Sequence, residues 1–278
     1  MTHWGLVLSG GAAYGLANAG ILNILEREKL SPSCIAGSSM GAIVASLYAY
    51  TGSTDAFRPL CDSLRMSQIA CLSSTPLKGG LHGGILRQRL DDLLGSILGD
   101  ACIGDCRIPF VCVAAKVTEA IDWKRVMRHG FTEYVLKRTS LHVFPPETRL
   151  IDAVMASSAI PVLFSPVTIG SDTFVDLVHF GAIPSRTLKE RFSPDVLIAT
   201  DTNPRYKRLE KFLPPSWREF LERGYQELER SKLACDLVIA PTMPAPLYRF
   251  DRARAFMEAG EKAAEEALPR LRELLPQH

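Results

Sequence analysis

No run of apolar residues in this chain approaches the roughly 18 that a membrane-spanning helix needs. The longest largely apolar run, Gly41 to Ala49, falls far short of it. An excess of one charge is also missing. Thirty-two Lys and Arg face 30 Asp and Glu, a net charge of +2, so electrostatics give no reason to expect nucleic acid as a partner. The N-terminal run from Met1 to Leu8 has no basic region before it, and a secretory signal is not expected. Seven scattered cysteines, an odd number in 278 residues, suit a reducing compartment better than a disulfide framework. The expected location is therefore the cytoplasm, with peripheral membrane contact left open. Internal repeats and linkers rich in Pro, Gly or Ser are absent too, and Pro145-Pro146 and Pro214-Pro215 read as loops. With 47% hydrophobic residues there is material for a sizeable core, and one domain over residues 1–278 is expected.

What is present alternates between two periods. Trp4 to Leu8 is a short β-type run that breaks into Ser9-Gly10-Gly11-Ala12-Ala13-Tyr14-Gly15, after which Ile21, Leu22, Ile24 and Leu25 fall at helical spacing. A second unit repeats the pattern. Cys34-Ile35-Ala36 ends a strand, Gly37-Ser38-Ser39-Met40-Gly41 turns, and Ala42 to Tyr50 forms a helix stopped near Gly52. Two βα units in so short a stretch imply a parallel sheet covered by helices. Further strands are expected at Phe110 to Val117, Val196 to Thr200 and Leu237 to Ala240, and a hairpin turn at Gly170-Ser171-Asp172. Helices are expected at Leu86 to Leu98, Leu150 to Ser158, Trp217 to Leu233, and from Asp251 to Leu275 with an interruption at Pro269. Cys61 to Gly84 and Asn203 to Pro215 read as loops or a cap over one end of the sheet.

The strongest chemical signal is the G-x-S-x-G sequence Gly37 to Gly41 between a strand and a helix. Such a turn exposes Ser39 as a nucleophile. It requires glycine on both sides because a Cβ there would meet neighbouring backbone, and the helix behind it offers its first amides, Met40 among them, to a developing negative charge. The glycine turn Gly10-Gly11-Ala12 is the second signal, a source of N–H groups for an oxyanion. Its alternative reading, a nucleotide fingerprint Gly10-x-Ala12-x-x-Gly15, lacks an acidic residue at the end of the second strand. Both turns follow successive strands and belong at one end of the sheet. None of the six His residues, His3, His82, His129, His142, His179 and His278, marks itself as the base for Ser39, and each reads as a surface or loop residue. His179 alone lies near a candidate carboxylate, Asp176, at an awkward spacing of three.

Four segments in order resemble the patatin-like phospholipases, particularly bacterial members: Ser9 to Gly15, the Ser39 turn, the run Ala156-Ser157-Ser158-Ala159-Ile160-Pro161-Val162-Leu163-Phe164-Ser165-Pro166, and Phe174-Val175-Asp176. Tyr248 to Ala253, followed by a helix with Glu258-Ala259-Gly260, is similar to the family's C-terminus. The resemblance implies a three-layer α/β/α sandwich with a mainly parallel central sheet. It also implies a Ser–Asp dyad without His, in which Ser39 is the nucleophile and Asp176 the base, with Gly10, Gly11 and Ala12 as the oxyanion loop. Three places depart from the family's pattern: the glycine turn, the residues after Asp176, and Lys116. Tyr14 replaces an Arg or Lys; Ala12 replaces a glycine, and its amide can serve there if its φ is negative. Leu177-Val178 follows Asp176 where small residues are usual, and Lys116 stands where an acidic or polar residue is common.

The expected function is a serine acyl-hydrolase acting on phospholipids, lysophospholipids or related lipid esters, without a metal or organic cofactor. The alternative is a catalytically impaired fold that binds lipid or a protein partner, motivated by Tyr14 and Leu177-Val178. Cys102, Cys106 and Cys112 read as buried or loop thiols rather than a metal fragment. Two basic stretches, Lys124 to Arg138 and Arg205 to Lys211, are solvated faces or contacts for an anionic membrane, with Phe212, Leu213 and Trp217 as interfacial anchors.

Overall fold

The computed structural model describes residues 2–66, 84–122, 135, 137–160, 164–177, 183–205 and 215–276. Their strands are β1 (Trp4–Leu8), β2 (Cys34–Gly37), β3 (Phe110–Val117), β4 (Thr139–Val143), β5 (Val167–Ile169), β6 (Asp172–Val175), β7 (Val196–Thr200) and β8 (Leu237–Ile239). The helices are α1 (Ala17–Arg27), α2 (Met40–Thr51), α3 (Phe57–Met66), α4 (Gly84–Leu98), α5 (Leu150–Ser157), α6 (Ser185–Phe192), α7 (Pro215–Lys232) and α8 (Ala253–Leu274). β3, β2, β1, β7 and β8 run parallel in that order, and β4, β6 and β5 add antiparallel pairs around β3.

The parallel strands are apolar on both faces, as a sheet sandwiched between helices must be. Leu6 and Leu8 of β1, Ile35 of β2 and Cys112 and Ala114 of β3 enter the main core with α1, α2, α5 and α8. Their neighbours Val7, Ala36, Val111 and Val113 enter a second core with Leu188 of α6 and Leu228 of α7. This alternation makes the molecule the three-layer α/β/α sandwich with a mainly parallel sheet that the sequence implies.

The pairing around β3 positions everything that follows. Pro109 offers its carbonyl to the Ile35 N–H of β2, whereas Cys112 offers its carbonyl to Phe144 just beyond β4, so alternate residues face opposite edges. Thr118, which donates to Arg138 beside β4, keeps that alternation to the end of the strand. Ala115 to Val117 pair with both β4 and β6, which puts β6 on the edge that β2 uses lower down. β2 leaves that edge at Gly37 opposite Cys112, and β6, running the other way, leaves it at Val175 opposite Ala115. The two strand ends therefore point at one another across three residues of β3, about 10 Å at ~3.3 Å per residue.

Several expectations need correction. Asp172 begins β6, pairing with Ile169, and the hairpin turn is Gly170-Ser171 with Gly170 at φ 61. Cys61 to Met66 belong to α3 instead of a loop, and the remainder of that expected cap up to residue 83 lies outside the described residues. Helix α8 runs through Pro269 without a break. The ring removes one helical N–H, yet Ala264 before it and Leu271 after it are fully buried in the core, and Arg272 beyond it reaches Glu28 at 2.8 Å. Anchoring on both sides holds the helix together across the proline.

α8 crosses α1 at unusually close range. A Cβ on Gly20 would lie 1.9 Å from the Met257 carbonyl oxygen, and one on Gly260 would lie 1.9 Å from that of Ala17. The crossing is flanked by Asn23 donating to Glu261 at 2.8 Å and by Arg27 with Glu265 at 3.1 Å. Because backbone on both sides blocks relief, Gly20→Ala should cost ~1–3 kcal/mol and lower Tm by roughly 3–10 °C. Gly95→Ala in α4, whose new Cβ would meet only Ile151 at 4.0 Å, should leave Tm level or raise it through helix propensity. Calorimetric melting of both variants checks the crossing.

At the end of β7, the buried Asp201 accepts from Lys232, from Asn203 at 3.1 Å and from Arg205 at 3.1 Å. Burial alone would raise its pKa, but the hydrogen bonds from Lys232 and Asn203 outweigh it and hold the carboxyl below its ordinary 3.8. A carboxyl whose folded-state pKa is depressed stabilises the fold fully above the unfolded value and loses that contribution as pH falls through the folded one. Asp201→Asn should lower Tm by a few degrees at pH 7, and the gap from wild type should close below pH 3.8. Melting curves over pH 3 to 7 check the sign.

Candidate active site

Ser39 caps α2 at φ 53 and ψ −131. For a residue with a Cβ this conformation costs on the order of 1–3 kcal/mol and persists only where the surroundings impose it. Here they do. A Cβ on Gly37 would lie 2.5 Å from the Gly41 carbonyl oxygen, and one on Gly41 would lie 2.3 Å from that of Leu8, so both positions admit only glycine, as the motif demands. Ser39 accepts at its carbonyl from Ala42 at 2.9 Å and Ile43 at 3.2 Å, which starts the helix directly behind it. Its own N–H donates to the Ser157 hydroxyl at 2.9 Å.

On the β1 side of Ser39 lies the glycine turn, since Leu8 is paired with Gly37 and the chain leaves β1 there. Gly11 has φ 145, and Ala12 has φ 49, so the condition of a negative φ at Ala12 is not met. Ala12 adopts the left-handed conformation that glycine takes without strain, at a cost of about 1–2 kcal/mol. The turn is held from below. Thr202 Oγ1 donates to the Gly10 carbonyl at 2.8 Å, Ser9 N–H donates to Thr200 Oγ1 at 3.0 Å, and Asn18 donates to the Ser9 carbonyl at 2.9 Å. Downstream amides are spent within the fold, Ala13 on Leu247 at 3.1 Å and Tyr14 on Gly11 at 3.0 Å. Among the described residues, none accepts from the N–H of Gly11, Ala12 or Met40.

On the β3 side of Ser39, Asp176 follows β6 into the gap between the two strand ends. It is buried, and its N–H donates to the Ala159 carbonyl at 2.9 Å. The C-terminal end of α5 thus touches both partners, Ser157 holding the Ser39 amide and Ala159 the Asp176 amide. Leu177 is fully buried in the second core, so the bulky residue after Asp176 anchors the strand end by packing. Val178 and His179 lie outside the described residues.

A narrow pocket of ≈ 30 Å³ opens over Ser39, lined by Ala12, Met40, Ile43 and Leu90, by Met155 and Ser158, and by aromatic rings of Phe164 and Phe250. It therefore brings Ser39, Met40 and Ala12 to one apolar wall. Its size admits about one water, so an acyl chain enters only if side chains such as Leu90 and Phe250 move apart.

The remaining departures resolve into structure. The Tyr14 ring packs on Phe256 of α8, centroids 5.5 Å apart, away from the pocket. Lys116 pairs with Asp172 at 2.7 Å, tying the hairpin to β3. His142 is in strand β4, half-buried between Phe144 and Phe174, each 4.9 Å away, rather than on a loop; burial first, then the nearby Lys116, holds its pKa below 6.5. The Cys112 thiol, pushed up to about 12 by burial, rests 3.5 Å from the Ala153 carbonyl, and burial likewise takes Cys106 to about 12. Of the basic stretches, Arg138 pairs with Glu119 at 3.4 Å and Arg205 with Asp201 and Glu229, each at 3.1 Å; most of the rest lies outside the described residues. The sequence reading missed Asn18, Ser157, Thr200 and Thr202. Only Thr200-x-Thr202, hydroxyls at period two leaving a strand, carried a usable signal.

The family model of patatin-like phospholipases matches residues 6–176. A putative patatin-like phospholipase domain-containing protein of Caenorhabditis elegans is 31% identical over 132 residues, 45% of this chain and 12% of that protein. An uncharacterized NTE family protein of Mycobacterium tuberculosis is 34% identical over 110 residues, 39% of this chain and 29% of its own length. The matched segment is thus less than a third of either curated relative. Among solved structures, VipD from Legionella pneumophila superposes with a TM-score of 0.56 at 16% identity, over 97% of this chain and 67% of that one, a likeness of fold. With the Ser39 turn, the glycine turn and Asp176 all inside the matched residues, the chain belongs to the patatin-like phospholipase family.

Proposed function

We propose that the protein is a lipid acyl-hydrolase that works through a Ser39–Asp176 dyad on phospholipids, lysophospholipids or related lipid esters. What supports this reading is the strained, imposed conformation of Ser39 beside a gap between two strand ends, the second of which leads into Asp176. Ser39 Oγ attacks the acyl carbonyl carbon while its proton passes to the Asp176 carboxylate. The oxyanion is held by amides of the turn at Gly10 and Gly11 and by that of Met40, since the φ of 49 at Ala12 fails the condition under which its amide would serve. The C–O bond to the alcohol breaks, the alcohol takes the proton, and water attacks the acyl-enzyme by the reverse sequence. The apolar lining around Ser39 suits an acyl chain. Contact with anionic membranes through the basic stretches and the Phe212 to Trp217 segment belongs to the same proposal.

The binding-module alternative is motivated by Tyr14 and Leu177-Val178; Tyr14 and Leu177 do not line the pocket around Ser39, and Val178 lies outside the described residues. Tyr14 and Leu177 are absorbed by packing, which supports the hydrolase reading over that alternative. Ser39→Ala should abolish hydrolysis of short acyl nitrophenyl esters and leave the melting transition cooperative. Asp176→Asn should lower kcat by about 10²-fold or more, the scale of general-base catalysis. Asp172→Asn, four residues earlier in the same hairpin, should stay within a few-fold of wild type. Equal turnover by wild type and Asp176→Asn would remove the dyad.

A further inference from the structure

Ser158 is the polar member of the pocket wall with no assigned task. Its hydroxyl oxygen is buried and has no hydrogen-bond partner among the described residues. Its backbone is fully engaged, the N–H donating to Val154 at 3.0 Å and the carbonyl accepting from Ile160 at 2.9 Å. Only the side chain is left over. A buried hydroxyl without a partner forfeits a hydrogen bond that it would make in water, so such a group calls for an explanation, a catalytic role among them. Around it the pocket is apolar: Met40, Ile43, Leu90, Met155 and Phe164.

The position of Ser158 decides which part of an ester it serves. It stands between Ser157, which holds the Ser39 amide, and Ala159, which holds the Asp176 amide. It is therefore on the base side of Ser39. The amides proposed for the oxyanion are on the other, β1 side, where Ala12 lines the same pocket. An ester whose carbonyl oxygen points toward the glycine turn presents its alcohol oxygen toward Asp176, because that group has to return the proton.

We propose that Ser158 is a leaving-group residue: its hydroxyl donates a hydrogen bond to the alcohol oxygen of the scissile ester as the acyl–oxygen bond breaks. The proton balance of the reaction is unchanged. The Ser39 Oγ–carbon bond forms, the carbon–alkoxy bond breaks, and the proton travels from Ser39 through Asp176 to the departing alcohol. Ser158 keeps its own proton throughout. The consequence is a preference for esters of aliphatic alcohols, whose alkoxides leave poorly without a donor, over what the same site without Ser158 could process. The inference rests on the Ser39–Asp176 reading.

The test compares two esters with the same hexanoyl group, hexanoyl glycerol and p-nitrophenyl hexanoate, by kcat/KM, which reports bond breaking to the first product. Nitrophenolate departs without help, so Ser158→Ala should lower the glycerol-to-nitrophenyl ratio of kcat/KM about tenfold, the scale of one lost hydrogen bond. Ser158→Thr, which keeps the hydroxyl, should restore the ratio to within about threefold of wild type. A ratio that Ser158→Ala leaves the same, whether both esters slow together or neither does, overturns the inference and leaves the dyad standing. Absence of turnover of both esters by wild type overturns the dyad reading and this inference with it.

Discussion

The first turn of α2 comes so close to the end of β1 that a Cβ on Gly41 would lie 2.3 Å from the Leu8 carbonyl oxygen and 2.5 Å from that of Ser9. Most of the site depends on this approach. It brings the Ser39 turn and the Ser9 to Gly15 turn into contact, which is why Ala12 and Met40 line one pocket. The same squeeze leaves the chain no room to relax at Ser39 and holds it at φ 53. The strain is distributed over fully buried neighbours, Leu8, Ala42 and Ile43 among them, whose burial offsets it many times over.

A second constraint brings in the carboxylate. β3 is long enough to pair with β2 near its start and with β6 near its end along a single edge. The interval between them interrupts that edge, and the ends of two strands running in opposite directions meet there. The end of α5 then bridges the gap with two hydrogen bonds, one to each side. Opposed strand ends with a shared clasp bring Ser39 and Asp176, 137 positions apart in sequence, to the two sides of one gap. The C-terminal part of the chain, beyond the matched residues, supports this arrangement from below: β7 holds the glycine turn through Thr200 and Thr202, and α8 packs α1 against it.

The parallel strands and the glycine turns were legible because each depends on local composition. Trp4 to Leu8, Phe110 to Val117 and Val196 to Thr200 are apolar runs that have no other use than a buried strand, and the structure keeps their bounds. Helix α3 was hidden by its polar face, and β4 by its short, mixed sequence, since pairing with β3 rather than propensity makes Thr139 to Val143 a strand. The site was half legible. Ser39 announces itself through two glycines, but nothing local marks Asp176, whose place follows from which edge of β3 its hairpin adopts. Ser157 and Asn18 could not be found by pattern, because a side chain that holds a distant backbone amide or carbonyl leaves no period in the sequence. The φ of Ala12 was not legible for a related reason: the value of 49 goes against alanine's own preference and belongs to the folded turn.

The central claim, that Ser39 and Asp176 form one nucleophile and base, is tested most directly by labelling with a fluorophosphonate probe and following intact mass. The account predicts one adduct per chain, mapped to Ser39 and absent in Ser39→Ala, with labelling slowed about 10²-fold in folded Asp176→Asn. Labelling of Asp176→Asn at the wild-type rate, or an adduct on any other residue, would contradict it.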